Sequence, residues 1–317
     1  MFNSMINQAQ TIAISGHVRP DGDCVGSCLG LYLYLKEQYT DKKIDLYLEK
    51  IPPCFEFLKG AGEICHEISD GSPYDLFLCL DCGDVERLGF SEPLFHSAAH
   101  TFVVDHHISN EHFAEADYVK PDASSASELI FDLLDKEKLT KDVAEALFVG
   151  LVHDTGVFQY SCAGPSTFRA AAVLLEKGID ASHIIHNTFY EKSIIQQKVL
   201  GYALKSSNLC LEGKGIYSYF TWDKMQKYGA EPKDFNGVVS LLRDTEGVEI
   251  SCFMYELNPG TYKVSLRAGD QVDVNKIANI FGGGGHVKAA GFTIDGEAED
   301  IIEAVMKAAK EQLGVSK

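Results

Sequence analysis

One carboxylate and two imidazoles stand side by side at Asp105, His106 and His107, directly after the apolar run at residues 101–104. Open α/β sheets place their ligand sites at strand tips of this kind. Three groups able to bind a metal or move a proton there are hard to account for as packing. The same arrangement recurs three times before residue 160. Residues 11–16 read as a strand running into His17, Asp21, Gly22 and Asp23. Residues 76–80 read as a strand that ends in Asp81, and the apolar helical stretch 143–152 leads to His153 and Asp154.

An aspartate at such a position ordinarily caps a helix or shapes a turn. Four such sites brought together repel one another unless a cation neutralises them. The expectation is therefore a centre for two divalent cations. Only carboxylate oxygens and imidazole nitrogens are on offer, with no thiolate cluster, which suits Mn²⁺ better than a structural Zn²⁺ site. Two metals about 3.5–4 Å apart share a bridging carboxylate and activate water for in-line attack on phosphorus. Phosphoester hydrolysis is the leading reaction class.

The elements that must carry these groups are an α/β arrangement. Strand and helix patterns alternate from residue 11 to about 190, as in a parallel sheet with covering helices. Helices are expected near 29–37 and 124–134. Ser124, Ser125 and Ser127 at the second helix start fit a cap, or contact with a phosphate. The organisation expected is a first domain at 1–190, a helical linker at 191–209 and a smaller α/β domain at 210–317. The second domain has strands at 248–257 and 262–267, joined by a turn at 258–261. A short helix at 274–281 precedes a run of four glycines, Gly282, Gly283, Gly284 and Gly285, with His286 next. Such a run lets backbone approach a ligand and aim amides at an anion.

Composition narrows the reading. With 46 acidic against 28 basic residues, the formal charge is −18. A protein gripping long nucleic acid uses many Lys and Arg contacts to phosphates. The acidic balance therefore favours a very short or mononucleotide substrate. No apolar run is long enough to span a bilayer and no secretory signal is evident, so no membrane is expected and the location is cytoplasmic. Nine cysteines are scattered through apolar segments, as reduced core cysteines are. Cys79 and Cys82 straddle a strand end and read as core residues, not as a redox or zinc motif.

The chain resembles the DHH phosphoesterases. Asp105-His106-His107 is similar to that family's signature, the three further sites to its other metal motifs, and Gly282 to Gly291 to the glycine-rich loop of the associated DHHA1 domain. Size and layout are most similar to the bacterial nano-RNases, which also remove the 3′-phosphate from adenosine 3′,5′-bisphosphate. The resemblance implies one metal on His17, Asp21 and Asp81. It implies a second on Asp23, Asp81, His106 and Asp154, with Asp81 bridging. His107 would face the scissile phosphate, Asp105 would orient it, and Arg267, Gly283, Gly284, Gly285 and His286 would grip the substrate. Cys24 stands where the family often has a small residue, and His153 is left without a role.

The resemblance leaves two hydrolytic functions: cleavage of RNA fragments of a few nucleotides together with the bisphosphate, or of cyclic di-AMP and its linear product. A catalytically silent nucleotide-binding module is the alternative of another class, and the complete metal set speaks against it. The expected partner is a short RNA or mononucleotide, and assembly as a homodimer is left open.

Overall fold

Apolar runs bounded by Gly, Pro and Asp form the strands of a first compact unit, Met1–Glu191. They are β1 (Thr11–Ser15), β2 (Lys43–Tyr47), β3 (Leu76–Leu80), β4 (His100–Asp105) and β5 (Ala116–Val119). This computed structural model describes residues 1–69 and 72–314. All five strands are parallel, in the order β2-β1-β3-β4-β5. Every residue of β3 is buried, as expected of a parallel sheet covered on both faces. Ser15 pairs with Cys79 and Leu80 with Val104, so β1, β3 and β4 end level with one another. The chain order reverses between β1 and β3, and crevices at such a switch point receive ligands.

Helix Gly22–Gln38 leaves the end of β1 and is buried at every position from Gly22 to Leu35. It lies close along helix Lys141–Asp154 because the contact is built from small residues. A Cβ on Gly26 would meet the carbonyl oxygen of Ala146 at 2.5 Å, and one on Gly150 would meet the Asp23 carboxylate at 2.6 Å. This approach brings the last turn of Lys141–Asp154 to the strand ends. A third helix, Ala126–Leu133, begins at Ser125, whose hydroxyl accepts the Glu128 amide at 3.0 Å. Ser125 therefore caps that helix.

The second unit, Lys192–Lys317, holds a mixed sheet. Its strands are β6 (Asn208–Cys210), β7 (Gly215–Phe220), β8 (Ile250–Asn258), β9 (Thr261–Ala268), β10 (Gly284–His286) and β11 (Ala289–Asp295). The order is β10-β11-β9-β8-β7-β6, and only β7 and β8 pair in parallel. Helix Ala298–Leu313 buries Ile301, Ile302, Val305, Met306 and Ala309, a stripe of helical period.

The stretch expected to be a linker carries helix Ile194–Lys205, and this helix falls with the second unit. Its Val199 and Ala203 are buried with Phe220, Phe235, Leu242 and Phe253. The glycine run also differs from a plain loop: Gly284 to His286 form the exposed edge strand β10. A Cβ on Gly283 would meet the Gly291 carbonyl at 2.3 Å, so close approach to the chain's own strand β11 requires glycine there. Among the described residues no helix is long and apolar enough to cross a membrane.

Candidate metal centre

Three adjacent strands deliver the central groups. His17 lies just beyond β1, Asp81 directly follows β3, and β4 closes with Asp105, leading into His106 and His107. Asp81 has φ of 54°, a left-handed conformation uncommon outside glycine, which turns its carboxylate away from the strand direction. The helices supply the rest. Asp21 caps Gly22–Gln38, accepting the Asp23 and Cys24 amides at 3.1 and 3.2 Å. Asp23 occupies the first turn of that helix. Asp154 ends Lys141–Asp154, where the helix dipole disfavours a carboxylate, so that position is not explained by helix stability.

Asp81 stands at the middle. Its Oδ2 is 3.5 Å from His17 Nε2, and its Oδ1 is 3.5 Å from His106 Nε2 and 3.7 Å from His107 Nδ1. Oδ1 is nevertheless buried without a hydrogen bond. His106 Nε2 also faces Asp154 at 3.1 Å and Asp23 at 3.9 Å. His17 Nδ1 is bound to the Val18 carbonyl at 2.9 Å, which leaves Nε2 directed at Asp81 and, 3.7 Å away, Asp21. Imidazoles that hold a metal are commonly fixed through the other nitrogen in this way.

The electrostatics have one origin, anions packed together out of water. Burial, then the charges of Asp81 and Asp154, push the Asp23 carboxyl well above the usual range. Burial likewise raises Asp154. For the imidazoles burial acts downward, yet the facing carboxylates of Asp21 and Asp81 carry His17 up to about 12, and those of Asp154 and Asp81 do the same for His106. The site thus demands positive charge, and an orphaned buried carboxylate oxygen ringed by imidazole nitrogens fits a divalent cation. Asp23, His106 and Asp154 come together as one potential ligand group, as do Asp81, His106 and His107. A third group joins His17 and Asp81 to the thiol of Cys24.

His107 is held apart from this pattern. Its Nδ1 lies 2.7 Å from Asp105 Oδ1, and the other Asp105 oxygen accepts the Asn110 amide at 2.6 Å. Asn110 also donates to the Cys82 carbonyl at 3.1 Å. Sequence reasoning did not single out Asn110; a turn-forming Asn five residues after Asp105 was the available signal. Nor did it find that Asp23 spans to helix Ala126–Leu133, its two oxygens accepting the Ala126 and Ser127 amides at 2.6 and 2.9 Å.

In the second unit Arg267 on β9 and His286 on β10 both pair with Ala289 of β11. Residues in register share a sheet face, so a small Ala289 separates the two. Lys288 is engaged elsewhere, by the Gly269 carbonyl and by Asp270 at 2.9 Å. All nine cysteines are free thiols, Cys79 and Cys82 among the buried ones.

A parallel sheet whose strand ends gather carboxylates and imidazoles around one buried aspartate defines a phosphoesterase, a hydrolase. The chain belongs to the DHH/DHHA1 phosphoesterase family: the DHH family N-terminal domain matches residues 11–151 and the DHHA1 domain residues 212–314. It is 30% identical over 306 residues to the bifunctional oligoribonuclease and PAP phosphatase NrnA of Thermus thermophilus, covering 95% of this chain and 90% of that protein. It is 27% identical to the cyclic-di-AMP phosphodiesterase GdpP of Geobacillus thermodenitrificans, covering 94% of this chain and 47% of that one. A solved exopolyphosphatase-related protein from Bacteroides fragilis superposes with a TM-score of 0.90 at 26% identity, over 99% and 95% of the two chains.

Proposed function

We propose that this phosphoesterase hydrolyses RNA of a few nucleotides to mononucleotides and removes the 3′-phosphate of adenosine 3′,5′-bisphosphate. The observation that carries the chemistry is Asp81, buried, short of a hydrogen bond at Oδ1, and set between His17 and His106. The substrate class rests on the Thermus relative, matched along nearly its whole length. His17, Asp21 and Asp81 would hold one divalent cation, and Asp23, Asp81, His106 and Asp154 a second, with Mn²⁺ the ion best suited to this oxygen and nitrogen set. Bound there, such ions supply an activated water and neutralise charge on the phosphate.

The chain's own residues do the remaining work. Asp105 accepts a hydrogen bond from Nδ1–H of His107, leaving the opposite nitrogen to give a proton to the leaving oxygen. Asn110 keeps Asp105 from rotating. Arg267 and His286, with the backbone of Gly283, Gly284 and Gly285, bind the substrate's phosphate or base. Hydrolysis of cyclic di-AMP or linear pApA is a second reading, favoured by the Geobacillus relative, of which this chain spans about half. A silent binding module would have no use for the His107–Asp105 pair.

A turnover panel with Mn²⁺ tests the proposal. It compares an RNA dinucleotide, a longer RNA, adenosine 3′,5′-bisphosphate, cyclic di-AMP, pApA and pyrophosphate. Preference for the dinucleotide and the bisphosphate is expected. Preference for cyclic di-AMP would move the protein to the second reading, and absence of all turnover would overturn both.

A further inference from the structure

Helix Ile194–Lys205 presents Lys198, Gly201, Tyr202 and Lys205 on one face, at the spacing of successive helical turns. With Ser206 and Tyr228 they line an open cavity of about 510 Å³ at the surface of the second unit. The rings of Tyr202 and Tyr228 are 5.7 Å apart, and both rest on Phe220, at 4.6 and 5.8 Å. Phe220 is fully buried, so the core fixes this aromatic wall. Lys224 Nζ lies 4.9 Å from the Tyr202 ring and 5.5 Å from that of Tyr219. Among the described residues the ammonium groups of Lys198 and Lys205 make no ion pair or hydrogen bond. In a chain of net charge −18, this is a pocket of uncompensated positive charge.

Gly201 sits between the two lysines, and a Cβ added there would meet no atom within 4 Å. Glycine is a poor residue inside a helix, and packing does not require it here. Its effect is to leave the space between the two lysines open.

We propose that this cavity, lined by residues of the second unit alone, binds a nucleoside phosphate. The base lies against Tyr202 and Tyr228, and the phosphate takes Lys198 and Lys205. Aromatic faces accept any base, and ammonium groups accept phosphate without strict geometry. The two lysines stand about 10 Å apart along the helix axis, and their flexible stems converge over Gly201. An acidic peptide would engage the lysines and leave the rings without contact. A purely apolar segment would bury the ammonium groups unpaired, which is costly. A free mononucleotide and the end of an RNA strand share the chemistry the pocket recognises.

Equilibrium dialysis of the full, Mn²⁺-loaded chain tests this, with AMP and a phosphorothioate-linked RNA trimer as probes. Bound nucleotide is counted directly, so the result does not depend on which substrate the enzyme turns over. The wild type is expected to hold one nucleotide more per chain than Gly201→Leu, which sets a bulky side chain between the two lysines. Lys198→Ala with Lys205→Ala, which alters no packing, is expected to weaken that extra binding by about tenfold or more. Turnover of an aryl phosphodiester should stay within about twofold in both variants, since none of the three residues belongs to the metal-ligand set. Equal binding of AMP and trimer identifies the free nucleotide as the ligand, and tighter binding of the trimer identifies a strand end. If both variants bind as much AMP and trimer as the wild type, at the same affinity, the proposal is wrong.

Discussion

The imidazole of His153 lies directly over Gly22, so closely that a Cβ on that glycine would meet His153 Cγ at 2.2 Å. Thr188 Oγ1 is 3.0 Å from its Nε2, and the rings of Phe55 and Phe189 close on it at 5.0 and 5.6 Å. Burial drops its pKa to about 4. His153 is thus a neutral wedge against the turn that carries Asp21 and Asp23. Gly22→Ala is expected to cost about 1–3 kcal/mol by overpacking and to weaken Mn²⁺ binding. Adding His153→Ala should recover part of both losses. Denaturant melts and calorimetric metal titrations of the double-mutant cycle measure this, and simple additivity would show that the two residues do not act as a unit.

Asp81 faces both His17 and His106, so a single substitution should empty the whole centre. Asp81→Asn keeps the shape and removes the charge. Elemental analysis after gel filtration is expected to find neither cation retained. Finding one ion would assign Asp81 to a single metal.

His107 is held above the ordinary imidazole pKa chiefly by its hydrogen bond to Asp105, with burial opposing. A raised value keeps the proton on to higher pH, and turnover that needs this proton falls as pH rises through it. Asp105→Asn removes the cause, so the alkaline fall in kcat should move to lower pH. His107→Ala should reduce kcat by about 10²–10⁴-fold with metal content unchanged. An alkaline limb that stays in place in Asp105→Asn would exclude His107 as the proton donor.

Glu128 is buried in the first turn of helix Ala126–Leu133. Burial acts to raise its pKa, but hydrogen bonds from Ser124, Ser166 and Thr167 outweigh that and lower it. A depressed value stabilises the fold above about pH 4.5, the ordinary carboxyl value, and that contribution is lost as pH falls through the folded value. Glu128→Gln should therefore destabilise at neutral pH by about 1–3 kcal/mol and flatten the acid side of the stability profile. Melts between pH 3 and pH 7 read this, and parallel wild-type and variant curves would contradict it.

Arg267→Ala is expected to raise KM for an RNA dinucleotide by about tenfold, the loss of one charge-assisted contact. Turnover of a small aryl phosphodiester should change by less than about twofold. Equal losses on both substrates would point to damage to the sheet instead.

The strand tips were legible in the sequence because an apolar run that stops at Asp or His has few other meanings. Residues 76–80 and Asp81 are the clearest instance, the strand and its end falling where the pattern puts them. What was not legible depends on contacts between distant segments. Nothing local announces that Asp23 will meet the amides of Ala126 and Ser127, or that His153 will press on Gly22. Cys24 read as a small residue able to make the site sensitive to oxidation or soft metals, and folding sets its sulfur beside His17 and Asp81. Helix Ile194–Lys205 read as a linker because a mixed polar and apolar helical stretch falls between the two domain patterns, and Val199 and Ala203 seat it in the core of the second unit. The glycine run suggested a loop, since glycine carries no strand signal of its own, and pairing with β11 decides its form.

The sheet order β2-β1-β3-β4-β5 has a consequence for biosynthesis. His17, Asp81, His106 and Asp154 leave the ribosome in that order, separated by whole crossover units. When β1, β3 and β4 have emerged, the nascent sheet bears its histidines and central aspartate but lacks the last acid. Only after Asp154 is made, and its helix has docked at Gly26, can the set close. Cations held by the group of Asp23, His106 and Asp154, which is complete only at this stage, would then act as a latch on the finished first unit. Starvation for divalent cations should accordingly leave newly made chains more open to proteolysis than chains folded before the metal was withdrawn.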